Sequence, residues 1–309
     1  MTGLMNLHYW LLNSKNKAME KLRTSVALFV YQKAHVLQEI FQAIAAYNPH
    51  CLYVVMDKPG SPSIQNAYNE VKTKIETAHF NNRVELIEPP THQGIVNIFA
   101  FGLDVIFKRE KEIIILEDDT IPSESFFEYC EIMLDKYRDD KSIGSIVGTN
   151  LGATADENAY FKAPIGLPYW GWATWADRWT KMPKDFSFWD TFTDSNEFKQ
   201  LLVIHEAFMT PLIRNRQQPK SWDLKWTMFQ LSQNMKIVLP GINLITNDGY
   251  HELATFTRIE NSEFANIKRH HTDGNKFRLS KPNQSMLLLY EEAQRKFMLE
   301  FATRKQANT

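Results

Sequence analysis

The sequence predicts an α/β protein, with a mostly parallel, doubly wound sheet followed by a half that is rich in loops. Up to about residue 150, short apolar runs alternate with longer segments whose apolar residues recur at helical spacing. This alternation is typical of strands joined by crossover helices, and therefore of a parallel sheet. Between residues 149 and 250, Gly, Pro and Trp occur in irregular order, as in binding regions built on loops.

The individual elements follow from this pattern. Five short, mostly apolar runs indicate strands, at 25–31, 51–56, 84–87, 113–116 and 143–148. The runs at 25–31 and 113–116 are typical of buried strands. Apolar residues at helical spacing predict helices at about 36–44, 64–78, 91–108, 126–137 and 286–304. No Gly-x-Gly-x-x-Gly follows the first strand, which disfavours a dinucleotide site of the usual kind.

Composition limits the possible functions. The chain has 309 residues, of which 44% are hydrophobic and 23% charged, as in globular proteins of one large or two small domains. A net charge of -1 argues against nucleic acid as a partner. Cys51 and Cys130 lie in apolar segments, which favours reduced thiols and a cytoplasmic location. No apolar run approaches the roughly 20 residues of a membrane span, so at most a peripheral contact at the inner membrane face is expected.

The strand predicted at 113–116 ends in three consecutive acids, Glu117, Asp118 and Asp119. Clustered carboxylates are costly in a plain core, because each disfavours ionisation of the others. The carboxyl ends of parallel strands are, however, where α/β sheets bind ligands. Carboxylates there can hold a divalent cation, which in turn can hold a diphosphate. The alternative is a strand followed by an acidic turn without a ligand.

Three ordered blocks carry a resemblance. The first is IIILEDDTIPSESFFEY from Ile113, the second is PYWGWATW from Pro168, and the third is SWDLKW from Ser221 with PGINLITNDG from Pro240. Together they resemble glycosyltransferases of the GT-A fold, which is Rossmann-like. The resemblance is to the N-acetylglucosaminyltransferase I–like group and to bacterial glycosyltransferases of polysaccharide gene clusters. It covers about residues 24–257.

The resemblance implies a metal-dependent, inverting glycosyltransferase of polysaccharide biosynthesis. The donor would be a nucleotide-sugar, with a UDP-sugar favoured, and the acceptor a hydroxyl of a glycan or of a lipid-linked oligosaccharide. We expect a division into a lead-in (1–23), a nucleotide-sugar-binding half (24–150), an acceptor-binding and catalytic half (151–260) and a C-terminal extension (261–309). The two halves would form one GT-A domain.

For the acidic triplet, the resemblance implies that Asp119 contacts Mn²⁺ or Mg²⁺ bridging the donor phosphates. Asp118 would face the ribose or sugar, and Glu117 would support it. Such a metal offsets charge on the departing nucleoside diphosphate. The bacterial relatives have a histidine where this chain has Phe256. His251, or His270 and His271 further on, could replace it as a metal ligand, and a structural role for such a histidine is the alternative.

Asp223 is the candidate general base, because direct displacement at an anomeric carbon needs a carboxylate to accept the acceptor's proton. It follows Ser221 and Trp222 and precedes the apolar-periodic Trp226 and Phe229, as at the start of a helix. A carboxylate there can instead be only a helix cap.

The loops after the first strands are expected to face the nucleotide in this fold, as is the helix start near residue 94. The candidate donor-binding residues are Tyr31, Gln32, Asp57, Gln93, Gly94 and Asn97. Asp57 could accept a hydrogen bond from a nucleobase N–H, and simple turn chemistry before Pro59 is the alternative.

Candidate acceptor- or sugar-binding residues are Trp170, Gly171, Trp172 and Trp222. Aromatic rings can stack under sugars, but they can equally build the core between the halves. The glycine would allow a tight turn. The amphipathic C-terminal helix is expected to pack on the domain or on a partner subunit, which leaves a homo-oligomer possible, or to contact a membrane surface.

Two other functions are compatible with the sequence. One is a sugar nucleotidyltransferase, which the lack of a Gly- and Lys/Arg-rich loop after the first strand disfavours. The other is a non-catalytic nucleotide- or glycan-binding protein on the same fold, which the missing histidine favours.

Overall fold

The computed structural model describes residues 23–154, 156–185, 187–196, 198–200, 221–250, 262–271, 282–283 and 285–307. Its strands are β1 (Val26–Val30), β2 (Cys51–Met56), β3 (Arg83–Ile87), β4 (Glu112–Glu117), β5 (Thr120–Pro122), β6 (Ile143–Val147), β7 (Tyr160–Ala163), β8 (Trp172–Trp175), β9 (Lys236–Pro240) and β10 (Ile245–Asn247). Its helices are α1 (Leu37–Tyr47), α2 (Gln65–Thr77), α3 (Gly94–Ile106), α4 (Glu124–Tyr137), α5 (Ala176–Trp179), α6 (Ser187–Thr193), α7 (Trp222–Ser232) and α8 (Met286–Ala307).

Eight strands form the main sheet, in the order β3-β2-β1-β4-β8-β6-β9-β7. Neighbours are parallel from β3 through β4 and between β6 and β9, while β8 and β7 run against their neighbours. Every residue of β1, β2 and β6 is buried, which explains why their sequences lack charged residues. The predicted fold class, a mostly parallel α/β sheet, is confirmed.

The later half contributes more regular structure than the sequence predicts. It supplies β7, β8 and β9 to the main sheet, and β8 lies between β4 and β6. The run Trp172–Trp175 is fully buried, but its aromatic and small residues lack the aliphatic pattern of the other strands. The two halves are therefore interleaved within one sheet.

A second, two-stranded sheet pairs β5 with β10 in antiparallel register, with Thr120 opposite Asn247. Directly beside it, the backbone N–H of Asp248 donates to the carbonyl of Asp119 at 2.8 Å. The acidic turn is therefore tied to the main sheet through β4 and to the later half through β5.

Helix α8 packs on the domain, which is one of the three alternatives predicted for it. Tyr290 contacts Phe161, and Phe297 contacts Trp170 with ring centroids 5.7 Å apart. Leu288 and Leu289 remain exposed at 71% and 53%, so the membrane and partner alternatives stay predictions.

Two further expectations concern thiols and membrane spans. Cys51 and Cys130 are free and buried. Among the described residues, no helix combines the length and the apolar character needed to cross a membrane.

Candidate active site

The acidic turn joins β4 to β5 at the carboxyl end of β4. The Thr120 hydroxyl closes it, accepting the Glu117 backbone N–H at 2.8 Å and lying 3.0 Å from the Glu117 carbonyl, to which it can donate. Asp118 and Asp119 form the tip of the turn. The turn is therefore closed by hydrogen bonds to one side chain, and its adjacent acids have different partners.

Asp118 anchors the loop that follows β1. Its Oδ2 accepts the backbone N–H groups of Tyr31 at 2.8 Å and of Gln32 and Lys33 at 3.2 Å each. Three amide donors on one oxygen stabilise a carboxylate and fix the loop. The structure thus brings three predicted donor-binding residues, Tyr31, Gln32 and Asp118, to one place. Contact of Asp118 with a ribose or sugar stays a prediction.

Asp119 forms an ion pair with Lys33, whose ammonium contacts Asp119 Oδ2. The pair is poorly hydrated, since the side chains of Lys33 and Asp119 are 8% and 17% exposed. Burial alone would lower the pKa of Lys33, but the neighbouring charges of Asp119, Asp118 and Glu117 outweigh it and raise that pKa. Lys33 is therefore a fixed positive charge at neutral pH.

Glu117 and Asp118 both have perturbed acidity. Burial raises the pKa of Glu117 well above its usual range, and the charges of Asp119 and Asp223 raise it further. Burial also raises the pKa of Asp118, while the positive charge of Lys33 lowers it. Perturbed carboxyl groups that gather at a strand end are a frequent mark of functional sites.

Asp223 lies at the start of α7, as the sequence predicts for the candidate base. Its Oδ1 accepts the backbone N–H of Leu224 at 2.8 Å. Burial raises the pKa of Asp223, although hydrogen bonds from Ser221 and from the backbone lower it. Because its charge acts on Glu117, Asp223 belongs to the same electrostatic neighbourhood as the acidic turn. Its hydrogen bond is to the local backbone, so its role as a base stays a prediction.

Asp57 has a structural task in this arrangement. It is 3% exposed, and its Oδ1 accepts the backbone N–H groups of Lys58 and Gln93, both at 2.9 Å. Its Oδ2 accepts the N–H of Gly94 at 2.8 Å and lies 2.9 Å from Nδ1 of His92. Asp57 therefore binds the end of β2 to the start of α3, as a helix-capping carboxylate does. These contacts match the turn alternative, and a contact with a nucleobase stays a prediction.

The remaining donor candidates surround this junction. Gly94 has a φ of 74°, a backbone conformation that favours glycine. Asn97 is exposed and donates to the Gln93 carbonyl at 3.2 Å. The Tyr31 hydroxyl accepts the N–H of Gly60 at 3.3 Å, and its ring stacks near His92 with centroids 6.1 Å apart. Tyr31 thereby links the loop after β1 to the loop after β2.

The three candidate tryptophans are packed in the core. Trp172 is 1% exposed, Trp222 5% and Trp170 8%. Trp222 stacks on Trp172 with centroids 5.0 Å apart, whereas Trp170 packs edge-on against Tyr250. These contacts match the alternative in which the rings build the core between the halves. Contact of any of the rings with a sugar stays a prediction.

Gly171 makes the tight turn that the sequence predicts. Its φ is 58°, and a Cβ on it would lie 2.4 Å from Ile245 Cδ1 and 3.2 Å from Phe126 Cζ. Its carbonyl accepts the N–H of Gly148 at 2.7 Å. A side chain at this position would therefore force β8 and β10 apart.

The residues at the turn are a partial fit for a metal ion. Carboxylate oxygens suit Mn²⁺ and Mg²⁺, but Asp119 Oδ2 already holds an ammonium, whose charge repels a divalent cation. Within the described ranges, no group of three or more His, Cys, Asp and Glu is arranged to hold a metal. His251 lies outside the described residues. As arranged here, the residues do not fit an ion at Asp119 Oδ2, and metal binding stays a prediction.

Three residues near the turn are not among those the sequence singles out. Lys33 is one, and the others are His35 and Asp248, whose Nε2 and Oδ2 atoms lie 2.6 Å apart. A signal for Lys33 was available, since it follows Gln32 in the loop at the end of β1. Asp248 stands within the third resembling block.

Comparison with known proteins gives little further guidance. No protein-family model matches the chain, and no curated protein sequence matches it. Two solved structures of UDP-glucose pyrophosphorylase, one apo and one complexed with UDP-glucose, are similar at a TM-score of 0.37 and at 9% and 8% identity, respectively. Each comparison covers 72% of this chain, and 93% of the apo and 92% of the complexed structure. A likeness at this level carries no argument about function, and the fold class rests on the strand order and register of this chain.

Proposed function

We propose that this chain is a glycosyltransferase that moves a sugar from a nucleoside diphosphate to a hydroxyl of a glycan or lipid-linked saccharide. The observation that carries the proposal is the position of Asp223 at the start of α7, on the sheet that carries the acidic turn: the preceding Trp222 stacks on Trp172 of β8, which pairs with β4. The two come from different halves of the chain, and each lies in a block that resembles GT-A glycosyltransferases. A UDP-sugar is the favoured donor by that resemblance.

The proposed chemistry is a single displacement with inversion. The acceptor oxygen attacks the anomeric carbon, its proton passes to Asp223, and the nucleoside diphosphate leaves with the electron pair of the broken C–O bond. Burial of Asp223 supports this role, because a raised pKa makes a carboxylate a stronger base. Tyr31, Gln32 and the acidic turn would hold the donor in place.

The resemblance also implies Mn²⁺ or Mg²⁺, which would supply positive charge to the departing diphosphate. Asp119 would be the residue to hold it, through the carboxylate oxygen that Lys33 does not contact, with His251 as a further candidate. Because Lys33 contacts the other oxygen, no step of the proposed displacement depends on the metal.

The test is transfer and donor hydrolysis measured across a panel of nucleotide-sugars and saccharide acceptors, with and without Mn²⁺. We expect transfer from one donor class, its loss in Asp223→Asn with donor binding kept, and unchanged activity in the exposed control Asp135→Asn. Lost donor binding in Asp223→Asn would refute the base role, and full activity in Asp119→Ala would refute the metal assignment.

The same panel distinguishes the alternatives. Formation of a nucleotide-sugar from a nucleoside triphosphate and a sugar 1-phosphate would indicate a nucleotidyltransferase. Nucleotide-sugar binding without turnover of any donor would indicate a non-catalytic binding protein.

A further inference from the structure

The acidic turn poses an electrostatic problem for the proposed donor. Glu117, Asp118 and Asp119 are consecutive residues at the end of β4, and the charge of Asp223 acts on Glu117. A nucleoside diphosphate adds further negative charge. Like charges a few ångströms apart repel strongly at the low effective dielectric of a partly buried site. A cation between the carboxylates and the phosphates would offset this repulsion.

The described part of the chain already holds such a cation. Lys33 is 6% exposed and forms the ion pair with the acidic turn. The Lys33 backbone is also fixed at the turn, because its N–H donates to Asp118. The two acids thus hold Lys33 at both ends, by its backbone and by its ammonium.

The chemistry of the lysine side chain suits a phosphate ligand. An ammonium carries three N–H donors, and the contact with Asp119 uses one of them. Lysine binds phosphate as a compact point charge, and loops after the strands of α/β sheets commonly place one beside a nucleotide phosphate. Lys33 stands in such a loop, next to the donor candidates Tyr31 and Gln32.

We propose that Lys33 is a diphosphate-binding residue. Its ammonium, held by Asp119, also binds a phosphate oxygen of a nucleoside diphosphate. The nucleotide then binds without a metal ion. The inference rests on the proposed function, since it concerns the same donor. It departs from the metal-centred site that the resemblance implies, because a positive charge of the protein itself stands at Asp119 Oδ2.

The experiment is calorimetric titration of the full chain with UDP, and in parallel with GDP, first in EDTA and then with added Mn²⁺. We expect the wild type to bind one of the two nucleotides in EDTA. We expect Lys33→Met to weaken that binding by about tenfold or more, the loss typical of one hydrogen bond to a charged group.

A matched control removes the same charge elsewhere. Lys141 pairs with Asp177 at 2.5 Å. It precedes β6, which runs in the same direction as β4, so it lies at the end of the strands opposite to the acidic turn. Lys141→Met should bind the nucleotide as the wild type does. A similar loss in both variants would show that only net charge matters, and it would overturn the proposal.

Removal of Lys33 leaves its carboxylate partners uncompensated, so Lys33→Met could be unstable. The double variant Lys33→Met/Asp119→Asn removes both members of the ion pair, and thermal denaturation reports whether it folds. We expect it to fold and still to bind nucleotide weakly in EDTA. Binding at the wild-type level in the folded double variant would overturn the proposal.

A second readout follows Mn²⁺ itself by electron paramagnetic resonance, without nucleotide. Lys33→Met should bind more Mn²⁺ than the wild type, because Asp119 is then free of its ammonium, whereas tight Mn²⁺ binding by the wild type would contradict the inference. Nucleotide binding that needs Mn²⁺ and is unaffected by Lys33→Met would overturn the inference and leave the glycosyltransferase proposal standing. No binding of UDP or GDP under any of these conditions would overturn both.

Discussion

The indole of Trp222 stacks on the ring of Phe99, with centroids 4.2 Å apart and planes 13° apart. Phe99 stacks in turn on Phe29 of β1 at 3.9 Å, and Trp222 also stacks on Trp172 of β8. This column of rings runs from the first strand to the start of α7. It therefore fixes the residue after Trp222, which is Asp223, relative to the sheet that carries the acidic turn.

We expect Trp222→Leu to reduce the rate of transfer more than it reduces donor affinity, because it loosens the helix start that carries the proposed base. Truncation of a buried aromatic ring typically costs about 3 kcal/mol of stability or more. The measurements are kcat, KM and the free energy of unfolding.

The control for that variant is Trp189→Leu. Trp189 is fully buried in α6 against Phe192 and Phe198, so its loss is expected to lower stability in a similar way. It should leave the ratio of kcat to KM near that of the wild type. An equal fall in transfer for both variants would mean that general destabilisation, and not the position of Asp223, is responsible.

The pH profile of transfer should reflect Asp223. Burial raises its pKa, so the ionised base forms only at a higher pH than an ordinary aspartate, for which the pKa is about 3.9. The value of kcat/KM is expected to fall on the acidic side with a midpoint above that value. A rate that stays constant down to pH 4 would exclude a buried carboxylate as the base.

Glu117 should make the protein less stable as the pH rises. Its pKa in the folded state is raised by burial and by neighbouring charges, so above about pH 4.3 the folded state holds a proton that the unfolded state releases. Stability from this group is full at low pH and is lost as the pH rises toward the raised pKa. We expect Glu117→Gln to raise the Tm at pH 8 and to change it little at pH 4.

Glu88 supplies a control of the opposite sign. Burial would raise its pKa, but hydrogen bonds from Tyr68 and Lys58 and the charge of Lys58 lower it overall. Glu88→Gln should therefore cost stability at pH 8 and little at pH 3. Parallel pH dependences for the two variants would contradict both assignments.

Asp57→Asn should destabilise the junction of β2 and α3. The amide nitrogen of Asn would face backbone N–H donors that now meet a carboxylate oxygen, and a buried donor left without an acceptor costs about 1–3 kcal/mol. Chemical denaturation would measure the loss, and the exposed Asp139→Asn should show none. Wild-type stability of Asp57→Asn would show that these hydrogen bonds contribute nothing net.

Gly249→Ala should disturb Asp119 without removing a functional group. A Cβ on Gly249 would lie 2.7 Å from Asp119 Oδ2 and 2.7 Å from Asn247 Oδ1, closer than real contacts allow. We expect weaker nucleotide binding, measured by calorimetry, with a small change in Tm. Unaltered binding would show that the carboxylate of Asp119 can shift without consequence for the donor.

Local sequence was sufficient for much of the fold. The strands β1, β2, β4 and β6 are short, mostly apolar runs, and their observed bounds differ from the predicted ones by at most one residue at each end. The start of α7 at Trp222 also matches, because Ser221 and Asp223 are typical of a helix N-terminus. Strand β8 was missed, since its identity depends on neighbours β4 and β6 that are distant in sequence.

The candidate site depends even more on such pairing. Asp118 reaches Tyr31 because β1 and β4 pair with Phe29 opposite Glu117, and no local pattern reveals that register. The same register brings Lys33 to Asp119. Sequence could therefore identify which residues carry chemistry at the strand ends, but not which of them hold each other.

The position of β8 between β4 and β6 has a consequence for how such a protein can change. The later half cannot be exchanged as a cassette, because its removal would take a central strand out of the sheet and leave β4 with an open edge. New binding preferences would have to arise by substitutions and insertions in the connecting loops. For the same reason, attempts to engineer this chain should graft loops and not halves.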